Sequence, residues 1–327
     1  MTRTPWLPAD LVLLDDRCPL PLGRPFTAAQ ARQLGVSRWL LRVLLDRRLI
    51  RPVVHAVYVA TQVVDTIELR SESLCLVVPE TAIVTDRTAA WLHGVDLLPR
   101  SAVHAMPPVQ VFGRTGSRLR RPGVASGKRQ LLDSDVMVVN GVLVTTMLRT
   151  ALDLGRGLHR YDALGALDAL LRAGVDREAL LGEVGRFAGE RGVVQLRFLA
   201  PLADPRAESP AESTLRLHWY EAGLPTPELQ ICVHDDMGRA VYRVDLGLPD
   251  LRLGAEYNGR AFHGEDRREH DEERLSWLEQ QRSWHIEVFV DDDVYAPGAD
   301  PAPRLRAAFM DARTRSGLWV PQGHYLR

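Results

Sequence analysis

Residues 240–259 read AVYRVDLGLPDLRLGAEYNG, and this stretch decides the fold of the C-terminal part. Val241, Val244, Leu246 and Leu248 predict one strand, near Tyr242–Gly247, with Asp245 set among them. Leu253, Gly254 and Ala255 predict the next, near Arg252–Tyr257, with Glu256 in the same position. A lone carboxylate in an apolar strand costs free energy unless it has a partner. Two of them on strands about 4.8 Å apart repel unless a positive charge lies between them. Working outward, Leu229–His234 predicts a preceding strand, Glu265 to Gln281 a charged helix, and Trp284–Val290 one more strand. Upstream, Ser209-Pro210-Ala211-Glu212 has serine at a cap, proline at the first helical position and glutamate at the third, so a helix runs from there to Gly223. The order is αβββαβ.

That order matches the common core of PD-(D/E)XK nucleases. More closely, Val244-Asp245-Leu246, Ala255-Glu256-Tyr257-Asn258-Gly259, His263, Asp271 with Arg274, Leu278 and the Trp284 strand resemble the DUF559 family, related to very-short-patch-repair endonucleases. The resemblance covers residues 207–296 and implies a restriction-endonuclease-like core that hydrolyses DNA phosphodiesters with Mg²⁺ or Mn²⁺. Asp245 and Glu256 are then the metal ligands. Such a metal lowers the pKa of a bound water and neutralises charge on the scissile phosphate. His263 is a candidate acid, base or phosphate contact, or an ordinary turn histidine. Glu212 is either a further ligand or only part of the helix cap. Arg274 either pairs with Asp271 or meets a phosphate, as Arg267 and Arg268 would. Asn258 stands where the nuclease motif usually has lysine, and no lysine follows Lys128. Arginine stays protonated and is a poor base. Two readings therefore stay open: a metal-dependent DNA endonuclease, or a non-cleaving DNA-binding regulator on a degenerate nuclease fold.

At the other end, Thr27-Ala-Ala-Gln30 predicts a capping box opening a short helix that stops at Gly35. Ser37 caps a second helix reaching roughly Leu49, with Leu40, Leu41, Leu44 and Leu45 on its apolar side. This is helix-turn-helix spacing. Val53–Val59 is β-rich and predicts a following hairpin or wing. Arg38, Arg42, Arg47 and Arg48 are the expected DNA contacts, or simply solvated arginines. Phe26 through Ser37, the arginine-bearing helix and Arg51 through Ala60 resemble the winged helix of AbiEi-type antitoxins of type IV toxin–antitoxin systems. That family usually has glycine where this chain has Ala56. The resemblance implies duplex DNA and a cognate toxin as partners.

Between these ends, Arg114 to Arg129 is acid-free and includes Arg118, Arg120 and Arg121, a loop able to follow a phosphate backbone or simply to sit in solvent. Thr145 to Leu154 resembles a Thr-x-x-x-Arg-Thr-x-x-Asp-Leu signature that follows such winged helices, with Arg149 and Asp153 as a structural pair. Pro201–Pro210 is proline-rich and predicts a boundary. The expected fold class is therefore a multidomain α/β chain: a winged helix at 1–62, a middle α+β antitoxin-like region at 63–200, and a nuclease-like domain at 207–327. Residues 1–130 hold 18 Arg/Lys against 10 Asp/Glu, a net of +8, while the rest of the chain is acidic. Forty of the 41 bases are arginine, which points as much to a GC-rich genome as to nucleic acid. Three scattered cysteines argue against a disulfide framework, and no apolar run is long enough for a membrane span. The first ten residues lack a signal peptide's apolar core, so the cytoplasm is the expected compartment.

Overall fold

The computed structural model describes residues 5–97, 107–113, 119–259 and 265–318, the side chains of 265–272 excepted. Among the described residues the fold is mixed α/β, with twelve α-helices and three sheets. No described helix is long and apolar enough to cross a membrane. The chain forms two compact units, Met1–Asp153 and Leu154–Arg327.

The first unit opens with β1 (Phe26–Thr27), α1 (Ala28–Gln33), α2 (Arg38–Asp46), β2 (Ile50–Val54) and β3 (Val57–Ala60). The capping box is present: Gln30 N–H donates to Thr27 Oγ1 at 3.2 Å and Thr27 N–H to Gln30 Oε1 at 2.7 Å. Ser37 Oγ accepts the Leu40 N–H at 3.2 Å and opens α2. Gly35, at φ 82, makes the turn between the helices. Leu40, Leu41 and Leu44 enter a core with Phe26, Val36, Leu49 and Ile50. The three strands pair antiparallel in the order β1-β3-β2. Between β2 and β3, Ala56 adopts φ 64, the left-handed conformation that glycine holds most easily.

The same unit continues through α3 (Ile67–Cys75), β4 (Ile83–Val84), α4 (Asp86–Leu92), β5 (Val109–Gly113), β6 (Val124–Lys128), β7 (Val136–Val139), β8 (Val142–Thr145) and α5 (Met147–Gly157), whose last turn enters the second unit. Its five-stranded sheet runs β6-β5-β4-β8-β7. The expected Arg149–Asp153 pair forms at 2.8 Å, one turn apart on α5. It belongs to a larger buried network. Arg149 also reaches Asp135 at 2.6 Å, and Arg129 joins Asp153 at 2.9 Å to Asp86 at 2.8 Å.

The second unit holds α6 (Arg160–Arg172), α7 (Arg177–Glu183), α8 (Val193–Leu199), α9 (Pro210–Glu221), β9 (Glu228–His234), β10 (Ala240–Leu248), β11 (Leu253–Tyr257), α10 (Glu265–Arg282), β12 (His285–Phe289), α11 (Asp291–Tyr295) and α12 (Ala302–Ser316). The sheet order is β12-β11-β10-β9. β9, β10 and β11 are antiparallel neighbours, while β12 runs parallel to β11 because α10 carries the chain back across. Leu215 and Trp219 of α9, Leu246, Leu253, Phe289, and Leu305 and Phe309 of α12 share one core. The αβββαβ order is as read, with α11 and α12 added after it.

The compact unit begins at Leu154 rather than at the proline-rich segment. The physical reason is the packing of α6 against α9. Arg216 and Asp168 are 2% and 1% exposed at their side chains and meet at 2.6 Å. Asp168 also accepts from Ser213 Oγ at 2.6 Å and from Asp204 N–H at 2.8 Å. Prolines in 201–210 shape a turn and a helix start, whereas the ion pair ties both sides of that turn into one core.

Candidate functional site

The β10–β11 register pairs Leu246 with Ala255. Asp245 and Glu256 are the residues next to this pair on their two strands. Asp245 Oδ2 accepts the Tyr257 N–H at 3.0 Å. Glu256 is only 5% exposed. Glu212, in the first turn of α9, accepts from Gln230 Nε2 at 2.8 Å and from Glu208 N–H at 3.0 Å. Its own N–H is capped by Ser209. Burial first of all, and then the charges of Glu212 and Glu256, push the Asp245 carboxyl up to about 7 against the pull of the Tyr257 N–H and Arg274. The charges of Glu212 and Glu256 thus both act on Asp245.

The positive charge that this cluster needs is within the chain. Arg274 of α10 grips both carboxylate oxygens of Glu256, Nη1 on Oε1 at 3.1 Å and Nη2 on Oε2. A bidentate, charge-assisted pair of this kind is among the strongest hydrogen-bonded contacts available to a carboxylate. The structure gives Arg274 a partner in Glu256 of β11, while the side chain of Asp271, its expected partner on α10, lies outside the described residues. A signal existed, since no acid lies three or four residues ahead of Arg274. Asn258 lies exposed beyond β11, its N–H on the Phe289 carbonyl at 2.8 Å. His263 lies outside the described residues. Among the described residues, no group of three or more His, Cys, Asp or Glu is arranged to hold a metal ion. Among the described residues, Arg274 engages Glu256 and a backbone N–H engages one oxygen of Asp245.

On the first unit, Arg38 and Arg42 are exposed on the solvent side of α2, opposite its buried leucines. Arg48 is exposed as well, at φ 56 just past α2, and its carbonyl accepts from Thr61 Oγ1 at 2.6 Å. Arg47 differs from its three neighbours. Its Nη2 donates to the carbonyls of Pro8, Ala9 and Leu11 at 2.9, 3.1 and 3.1 Å. That guanidinium ties the N-terminal segment to the end of α2, a long-range job that helix spacing could not reveal. Arg120 and Arg121 are exposed, with Arg121 donating to the Val77 carbonyl at 3.2 Å. Arg118 lies outside the described residues. Trp39 is 63% exposed between Arg38 and Arg42. Its signal in the sequence is a position on the polar side of an otherwise leucine-lined helix.

Residues 81–202 match the AbiEi antitoxin C-terminal domain. The match contains the Thr145–Leu154 signature and the Arg149 ion network. Two proteins from separate strains of Mycobacterium tuberculosis, each named only as an uncharacterized protein, are 39% identical to the chain over 232 residues, covering 70% of this chain and 82% of theirs. The chain belongs to the family of these mycobacterial proteins and includes a segment similar to the AbiEi antitoxin C-terminal domain.

Proposed function

We propose that the chain is a DNA-binding regulator of the type IV antitoxin kind. In this reading residues 1–62 act as a winged helix on duplex DNA, and residues 207–327 keep a nuclease-like order without cleaving. The observation that carries it is the α1–turn–α2–hairpin arrangement, with leucines in the core and Arg38 and Arg42 left in solvent. α2 would enter the major groove, with Arg38, Arg42 and Arg48 on phosphates and base edges and Arg120 and Arg121 adding to the basic surface. The AbiEi likeness supports a cognate toxin as partner, in the cytoplasm. Arg274 supports the absence of cleavage, because Glu256 already has its counter-charge.

A second reading is favoured by the raised carboxyl of Asp245, which feels the charges of Glu212 and Glu256, the other acids of the site read from the sequence. It is a Mg²⁺- or Mn²⁺-dependent endonuclease with Asp245 and Glu256 as ligands and Glu212, Asn258 and His263 assisting. Two assays on the full chain separate the readings. Arg38→Ala with Arg42→Ala should weaken duplex binding and reduce its salt slope by about 2. Equal affinity at every salt concentration for both proteins would sink the winged-helix reading. Plasmid nicking in Mg²⁺ or Mn²⁺ that is lost in Glu256→Gln would replace the regulator with the endonuclease.

A further inference from the structure

We infer that Trp39 is a specificity-determining residue, reading the 5-methyl group of a thymine in the major groove; the inference rests on the DNA-binding reading of α2. Three observations lead to it. Trp39 exposes 63% of its surface although a helix of this pattern has a leucine core on its other side. It occupies the second position of α2, directly after Arg38 and three residues before Arg42, both exposed. Arg38 and Arg42 form no ion pair among the described residues and leave two exposed guanidiniums beside the indole, with Asp46 the acid at the far end of the same helix.

The chemistry then selects the contact. The N-terminal residues of a recognition helix are the ones that reach base edges. An indole has one N–H donor and no acceptor, so it cannot form the bidentate pairs by which Arg reads guanine or Asn reads adenine. What it offers is a broad apolar face. The only apolar group on the base edges of the major groove is the thymine methyl. The arginines on either side can hold the backbone or a guanine, leaving the indole to distinguish T·A from C·G. A toxin surface is the competing occupant, but an exposed indole flanked by two exposed arginines at the start of a helix matches DNA better than an average protein.

The test uses the full chain and a pool of random-sequence duplexes. Wild type should enrich a motif with a fixed thymine. Trp39→Ala should bind unselected duplex with an unchanged salt slope and lose that thymine preference. In the selected duplex, uracil in place of thymine removes one methyl group and should weaken wild type about fourfold while leaving Trp39→Ala unaffected. Trp39→Phe, which keeps an apolar face, should retain most of the preference. If Trp39→Ala selects the same motif with the same strength, the inference is overturned. It is also overturned if wild type binds duplex without sequence preference, an outcome that leaves the DNA-binding reading standing. If wild type binds no duplex at all, both fall.

Discussion

Replacing Asp245 with asparagine tests the character of the carboxylate cluster directly. The Asp245 carboxyl is pushed from its ordinary 3.8 up to about 7, first by burial and then by Glu212 and Glu256. A raised folded-state pKa means that the folded protein holds a proton which the unfolded chain releases. The stabilisation from that proton is full below about 3.8 and is lost as the pH rises through about 7. Three pKa units correspond to a ceiling of about 4 kcal/mol. Asp245 is partly reached by solvent, so about 1–2 kcal/mol at pH 8 is the working figure. Asparagine has nearly the same shape and keeps an oxygen to accept the Tyr257 N–H. Asp245→Asn should therefore be more stable than wild type by about 1–2 kcal/mol at pH 8, roughly 2–8 °C in melting temperature, and nearly equal to it at pH 4. Urea unfolding followed by circular dichroism at the two pH values, in chelator-treated buffer and again with Mn²⁺, reads this out. A variant less stable than wild type at pH 8 would refute the charge argument. So would a Mn²⁺-dependent rise in wild-type stability that vanishes in the variant, because the cluster would then be a ligand set waiting for its metal.

Three further outcomes follow from the same geometry. Asp168→Ala leaves Arg216 buried without its carboxylate and should cost about 3–5 kcal/mol in urea unfolding of the full chain; a loss under 1 kcal/mol would show that α6 and α9 do not depend on this pair. Ala56→Gly relieves the left-handed backbone between β2 and β3 and should raise stability by about 0.5–1 kcal/mol, with a lowered melting temperature as the contrary result. Burial holds the His218 imidazole below its usual value despite Glu221, so the folded state favours the neutral ring and loses stability as the pH falls below about 6.5. His218→Gln should flatten the drop in melting temperature between pH 7 and pH 5, and an unchanged pH profile would contradict this.

Much of the local structure was legible because it depends on neighbours in the chain. Thr27 and Gln30 form their capping box, Ser37 and Ser209 cap the helices they precede, and Arg149 finds Asp153 one turn along. Strand alternation also placed Leu246 and Ala255 on neighbouring antiparallel strands, with Asp245 and Glu256 next to them in the chain. Ala56 shows how far such reading extends. The resembled family usually has glycine there, and the structure shows the alanine in the left-handed conformation.

Sequence by itself determined the αβββαβ order of residues 207–296 and the capped helix starts at Thr27, Ser37 and Ser209, because caps, turns and strand alternation are set by residues a few positions apart. Only the tertiary structure decided what neutralises those acids, what Arg47 holds and where the compact units divide. Arg274 meets Glu256, Arg47 meets the carbonyls of Pro8, Ala9 and Leu11, and Asp168 meets Arg216. Each joins groups from 18 to 48 positions apart. A buried charge must find an opposite charge or a polar partner somewhere, but the demand is met in space. Spacing along the chain shows that the demand exists, and the fold chooses who answers it.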